Sequence, residues 1–200
     1  MFISCVVNLL LQSLTLLLVM LQIIWPTDLI DSLEVPTILF SIDGTHCQIQ
    51  EPKHETHTRD PAYYSHKFKR AAYNYKLVIS VHTNQLVWMN GPFPAGKNDL
   101  SVFQTKGLRN KMKANLRLVA DGGYTGEAHL LTPNQYDNQA LKGFKSRARA
   151  RHETFNSRIK VFKALAVPFR HKLDRHKCTF EAVCVLVQYQ LENGSPLFDI

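Results

Sequence analysis

Two short apolar runs in this chain each end on aspartate followed by glycine, and that pattern constrains the fold more than any other feature. Residues 37–42 read Thr-Ile-Leu-Phe-Ser-Ile and lead into Asp43 and Gly44. Residues 116–120 read Leu-Arg-Leu-Val-Ala and lead into Asp121, Gly122 and Gly123. Short β-prone runs closed by turn residues predict buried strands. A lone Asp-Gly is usually no more than a turn. Two of them at the carboxyl ends of strands, where open α/β sheets gather their ligands, predict two carboxylates on one rim.

The rest of the chain supplies a sheet and its cover. Residues 75–81 and 86–89 are β-rich and separated by Asn84 and Gln85, a hairpin signature. The Gly-Pro-Phe-Pro-Ala-Gly run at 91–96 predicts a break, and Asn98 or Asp99 can cap a helix reaching about Met112. Residues 131–141 show no period. From Lys145 to Ala166 the spacing of Phe155, Ile159, Phe162 and Ala166 predicts a helix ended by Pro168. Thr179 can cap a last helix carrying Phe180, Val183, Cys184, Val187 and Leu191 on one stripe, with Gly194 just beyond. A hairpin combined with strand–helix alternation predicts an α/β fold, a mixed sheet flanked by helices.

A third acid, Glu153, falls in the middle of the predicted helix. At about 100° per residue, Arg149, Asn156, Ser157 and Lys160 share its face, and the apolar stripe lies nearly opposite. This helix belongs to the most basic part of the chain: residues 142–177 hold twelve of the 24 Lys and Arg residues and only two acids, Glu153 and Asp174. A net charge of +8 concentrated in this way points to a polyanionic partner, nucleic acid or an anionic membrane. One reading of Glu153 is a solvated helix face with an i, i+4 ion pair to Arg149. The other sets Glu153 over the cleft beside the two strand-end aspartates. Phosphoryl chemistry gives a reason for three carboxylates to converge: two divalent ions activate the attacking oxygen and stabilise the leaving one. Mg²⁺ favours such hard oxygen ligands.

Two further segments bear on class. Residues 2–25 carry no charge and are mostly Leu, Val and Ile, long enough to cross a bilayer. Hydropathy alone leaves open a transmembrane helix, a core helix of a larger parent domain, or a misassigned gene start. Pro26 and Pro36 bracket a short linker, so the expected division is an apolar segment with linker at 1–36 and a catalytic domain at 37–200. The four cysteines have no C-x-x-C spacing and read as reduced thiols. The spacing of His46, Cys47, His54 and His57 matches no standard zinc pattern.

Four blocks occur in order: 42–47 (Ile-Asp-Gly-Thr-His-Cys), 91–99 (Gly-Pro-Phe-Pro-Ala-Gly-Lys-Asn-Asp), 119–124 (Val-Ala-Asp-Gly-Gly-Tyr) and 149–160 (Arg-Ala-Arg-His-Glu-Thr-Phe-Asn-Ser-Arg-Ile-Lys). Together they resemble the DDE superfamily endonuclease domain of PIF/Harbinger-like transposases, over roughly residues 37–198. The resemblance implies an RNase H-like fold and metal-dependent DNA cleavage with strand transfer. It implies Asp43, Asp121 and Glu153 as catalytic residues and ligands of two Mg²⁺ or Mn²⁺ ions, with Asp99 in a supporting role. Arg149, Arg158 and Lys160 are the candidate contacts to DNA phosphates. A nuclear location follows, with a homo-oligomer and a separate DNA-binding protein as possible partners; the apolar segment 2–25 argues instead for a membrane anchor. Two features depart from the family pattern. His152 stands where many relatives have an aliphatic residue, and the apolar segment replaces a helix-turn-helix region. The second departure keeps an alternative open, a truncated or inactive transposon-derived protein that binds DNA without cutting it.

Overall fold

The computed structural model of the chain describes residues 23–52, 60–105 and 107–200. Most of the apolar segment lies outside the described residues, as do Cys5, His54 and His57. Among the described residues no helix is long and apolar enough to cross a membrane.

Six strands form one mixed sheet: β1 (Thr37–Gln48), β2 (Tyr64–Ser65), β3 (Arg70–Ser80), β4 (Leu86–Pro94), β5 (Leu116–Val119) and β6 (Leu130–Leu131). β1, central in the sheet, pairs antiparallel with β3 from Phe40↔Ser80 to Gln48↔Ala72, and parallel with β5 from Thr37↔Leu116 to Ser41↔Val119. β6 extends the parallel side next to β5, while β2 and β4 both pair with β3. This is the mixed, helix-flanked sheet of an RNase H-like fold.

Period-two alternation assigns the two faces. On one face Cys47, Tyr75, Leu77 and Ile79 pack against the long helix α3 (Gln139–Val161) and the last helix α5 (His176–Glu192), chiefly through Phe155, Ile159, Phe180 and Val187. On the other, Phe40, Ile42, Val78 and Leu118 meet Ile30 of α1 (Thr27–Asp31), Phe103 of α2 (Asp99–Thr105) and Tyr124. The segment between Pro26 and Pro36 thus contributes to packing: Ile30 is buried, Trp25 lies against Phe40 at 5.5 Å between ring centroids, and Asn115 Nδ2 donates to Leu33 O at 2.8 Å.

Several element boundaries differ from the sequence expectation. β1 passes through Asp43-Gly44 to Gln48, because β3 continues to supply ladder partners beyond the acid. β4 runs on through the Gly-Pro-Phe-Pro run, absorbing it with a register shift opposite residues 74–76. α2 stops at Thr105, well short of Met112, and a 3-10 turn covers Arg109–Lys111. α3 begins at Gln139, where the Asn138 side chain accepts from Leu141 N, and breaks at Phe162 in an extended conformation. A separate turn, α4 (Lys163–Ala166), follows the break. Thr179 does not cap α5: a 3-10 turn at Leu173–Arg175 precedes the helix, and the Thr179 hydroxyl donates to the Arg175 carbonyl within it.

The back of α3 carries cations that the sequence assigned collectively to a polyanion. The fully buried Arg151 donates to the carbonyls of Phe198 and Thr83 and to Asn84 Oδ1. Arg147 donates to Asp199 O, and Arg158 to the carbonyls of Ser195 and Pro196. These three residues strap the C-terminal segment along the helix and bring Leu197 into the core. Arg151→Met leaves several acceptors without a charged donor and is expected to destabilise the protein by about 2–4 kcal/mol, read as a lower urea midpoint. A loss below about 0.5 kcal/mol would show that the strap contributes little.

Candidate active site

One cleft of about 680 Å³ lies at the end of β5, and Asp43, Asp99, Asp121, Glu153, Asn156 and Lys160 all line it. Strand register explains how it opens. β5 ends at Val119, so β1 loses its parallel neighbour after Ser41 and has no strand on that edge until Phe169 N donates to Gln48 O. Asp43 lies two residues past that last pair on β1, and Asp121 two residues past it on β5. Both carboxylates therefore reach the gap where the ladder stops.

Each aspartate is held locally. Asp121 Oδ1 accepts from Gly123 N at 2.9 Å and so starts the 3-10 turn Gly122–Tyr124. Asp43 Oδ1 accepts from Gly44 N at 2.6 Å, and its Oδ2 accepts from Asn156 Nδ2 at 2.9 Å. Asn156 belongs to a polar seam between α3 and β1. One helical turn earlier, His152 Nδ1 and Ser41 Oγ share a hydrogen bond of 3.0 Å. One turn later, Lys160 Nζ donates to the His46 carbonyl and lies 3.2 Å from Cys47 Sγ. His152, Asn156 and Lys160 recur every four residues along the helix, and their partners follow along β1. His152 is thus accommodated by its bond to Ser41; burial lowers its pKa to about 3 and keeps the ring neutral at physiological pH. The first turn of the seam sets the height of α3 on the strand, and the second turn orients Asp43.

Glu153 projects from the exposed side of the seam into the cleft and forms no ion pair with Arg149 among the described residues. Arg149 lines another pocket, with Asn134, Lys142 and Ser146. Of the three candidate phosphate contacts, Lys160 lines the cleft, Arg149 lines a separate pocket one helical turn before Glu153, and Arg158 holds the C-terminal segment. His46 lines the cleft with Nδ1 2.8 Å from Ser65 Oγ, and Lys67 joins the rim.

Lys76 was not singled out from the sequence. It is a buried lysine on β3 that pairs with Asp99 Oδ1, which also accepts from Asn74 Nδ2 at 3.2 Å. Gly44 makes room for it: a Cβ there would stand 2.6 Å from Lys76 Nζ and 2.9 Å from Asn74 Oδ1. The sequence signal was the alternation of polar Asn74 and Lys76 within an otherwise apolar strand, which sets both on one face. Tyr124 lies beneath, its ring centroid 5.4 Å from Lys76 Nζ, and its buried hydroxyl has no hydrogen-bond partner among the described residues.

The donor set of Asp43, Asp121 and Glu153 consists of hard carboxylate oxygens, which suit Mg²⁺ or Mn²⁺. Orphaned buried oxygens on Asn74, Tyr124 and Asn156 surround it. Among the described residues no three His, Cys, Asp or Glu side chains close into a metal cage. The carboxylates share a cleft, with at least one oxygen of each aspartate engaged by the protein. Burial, and after it the charges of Asp121 and Asp99, raise the Asp43 pKa from 3.8 to about 6, against the opposing Gly44 hydrogen bond and Lys76 charge. Mutual repulsion of this kind is relieved by a bound cation.

Compared with known families, residues 42–188 match one described as DDE superfamily endonuclease. Comparisons with curated proteins and with solved structures give no match.

The raised Asp43 pKa sets a pH dependence of stability. Between about 4 and 6 the folded state keeps a proton on Asp43 that the unfolded chain releases, so metal-free protein loses stability as pH rises through that window. The loss attributable to Asp43 amounts to at most about 3 kcal/mol above the window. Urea melts in EDTA at pH 4 and pH 7 are expected to differ less by that amount for Asp43→Asn than for wild type. Equal pH dependence in the two proteins would contradict the assignment.

Proposed function

The chain belongs to the DDE superfamily endonuclease family, and from that membership we propose that it is a transposase-type nuclease of the PIF/Harbinger kind, cleaving and joining phosphodiesters of nuclear DNA with two divalent ions. The single observation that carries this reading is the placement of Asp43, Asp121 and Glu153, from two strands and a helix far apart in sequence, around one cleft. In the proposal these three carboxylates hold the ions. When bound, the ions supply Lewis acidity, lowering the pKa of an attacking water or DNA 3′-hydroxyl and stabilising the departing 3′-oxygen.

The chain's own residues do the rest. Asp43 from within β1 and Asp121 from just past the end of β5 present carboxylates fixed by the sheet, so little reorganisation accompanies binding. Asn156 donates to Asp43 Oδ2 and limits the rotation of that carboxylate. Glu153 closes the cleft from the helix side. Lys160, anchored on the His46 carbonyl, and Lys67 at the rim supply positive charge where a phosphodiester backbone would approach. The DNA sequence is read by groups other than these, since backbone contacts carry no base information.

Plasmid nicking by the full chain tests the reading. Wild type is expected to nick supercoiled DNA with Mg²⁺ or Mn²⁺ and to stop in EDTA. Asp121→Asn and Glu153→Gln are expected to reduce the rate by about a thousandfold or more. Asn156→Ala, which removes an orienting partner, is expected to slow it by about ten- to a hundredfold. DNA binding with a steep salt dependence but no nicking by the folded wild type would favour the non-cleaving alternative. Nicking that persists in Asp121→Asn would overturn the site assignment.

A further inference from the structure

The mechanism above leaves one acid and one cation unused. Asp99 opens α2 at the wall of the same cleft, and Lys76 is buried at 1 % exposure against it. The two carboxylate oxygens of Asp99 have different surroundings. Oδ1 is occupied by Lys76 and by Asn74 Nδ2. Oδ2 faces Gly123: a Cβ on that glycine would stand 3.3 Å from Asp99 Oδ2 and 3.1 Å from Asp121 Oδ1. Asp99 thus keeps one oxygen that accepts no hydrogen bond among the described residues, close to one of the proposed metal ligands, while its other oxygen is fixed on a buried amine. Two fully buried groups beside the pair have polar atoms without hydrogen-bond partners among the described residues, the Tyr124 hydroxyl and Asn74 Oδ1. The Tyr124 hydroxyl faces the acids: burial first, then Asp99, Asp43 and Asp121, push its pKa well above the usual value.

We propose that Lys76 is a positioning residue that holds Asp99 out of the metal ligand set, limiting the site to Asp43, Asp121 and Glu153. The inference rests on the two-metal reading given above. Its physical basis is the partition of charge. Four carboxylates around one cleft would bind a divalent ion more tightly than three and would release it and the product more slowly, since affinity follows the number of charged ligands. A lysine buried beneath them, with its amine in the space left by Gly44, neutralises one acid permanently. It needs no solvent access to do so. Gly44 is part of the device, because a side chain at that position would displace the amine.

The test is calorimetric titration of Mn²⁺ into the full-length protein without DNA, comparing wild type, Lys76→Met, Asp99→Asn, the double variant and Asp121→Asn, each checked for folding by circular dichroism. Lys76→Met frees Asp99 and is expected to bind Mn²⁺ roughly tenfold more tightly than wild type while nicking DNA more slowly. Asp99→Asn is expected to stay within about twofold of wild type, since Asp99 is not a ligand. The double variant is expected to return to the wild-type affinity, because the gain in Lys76→Met requires the Asp99 carboxylate. Should Lys76→Met fail to fold, Lys76→Leu replaces it, an apolar side chain that likewise removes both the charge and the donor to Asp99. Unchanged or weaker binding in the Lys76 variant overturns the proposal. So does a loss in Asp99→Asn as large as that in Asp121→Asn, which would make Asp99 a ligand already. In both cases Asp121→Asn still loses Mn²⁺ binding and the three-carboxylate site stands; absence of Mn²⁺ binding by wild type overturns both.

Discussion

Parallel pairing between β1 and β5 ends at Ser41 and Val119, while β1 continues to Gln48 against β3, and its other edge meets a backbone partner again only where Phe169 N donates to Gln48 O. The rest of the site depends on that termination. An unpaired edge on a central strand is costly unless it is covered or used. Here it opens a cleft into which the next outward-facing residues, Asp43 and Asp121, direct their side chains. Had β5 run two residues further, the gap between the two aspartates would have been closed by ladder hydrogen bonds. The turn that stops it is made by Asp121 itself, through its bond to Gly123 N. The acid and the structural break that exposes it are one feature.

The helix α3 then has to be placed at the right height, because Glu153 is useful only if it faces the gap. Apolar packing of Phe155 and Ile159 fixes which side of the helix meets the sheet but tolerates sliding. Ser41–His152, Asp43–Asn156 and the anchoring of Lys160 on β1 define the axial position. These are directional bonds in a largely buried setting, where a missed partner is expensive. The cations of α3 divide accordingly. Arg147, Arg151 and Arg158 face away from the cleft and strap the C-terminal segment, while Lys160 and Arg149 stay on or beside the active face. Net positive charge in a stretch of sequence is therefore a coarse guide to a binding surface, since three of the seven Lys and Arg residues of α3 hold the C-terminal segment.

Local sequence carried much of this. Asp43 and Asp121 could be recognised because acid and glycine follow short apolar strands, and Glu153 because its helical face gathers polar residues. The β3–β4 hairpin and both long helices were legible from period and turn residues. What could not be read depends on partners distant in sequence. Nothing around Asp43-Gly44 announces that β1 continues, because the residues that hold it there belong to β3. Thr179 has the composition of a cap, yet the 3-10 turn before it supplies the helix start. Lys76 on a strand reads as an edge or surface residue until Gly44 and Asp99 are seen to enclose it. His152, a departure in sequence, proves to be a hydrogen-bonded part of the seam.

Strand termination and the α3 seam gather Asp43, Asp121 and Glu153 around one cleft, which we propose holds two divalent ions. Anomalous diffraction from crystals of the protein soaked in Mn²⁺ tests it most directly. Two Mn²⁺ peaks about 4 Å apart are expected, bounded by Asp43, Asp121 and Glu153, with Asn156 still bonded to Asp43. Peaks confined to surface acids, or ions held by Asp99 with Glu153 turned to solvent, would contradict it.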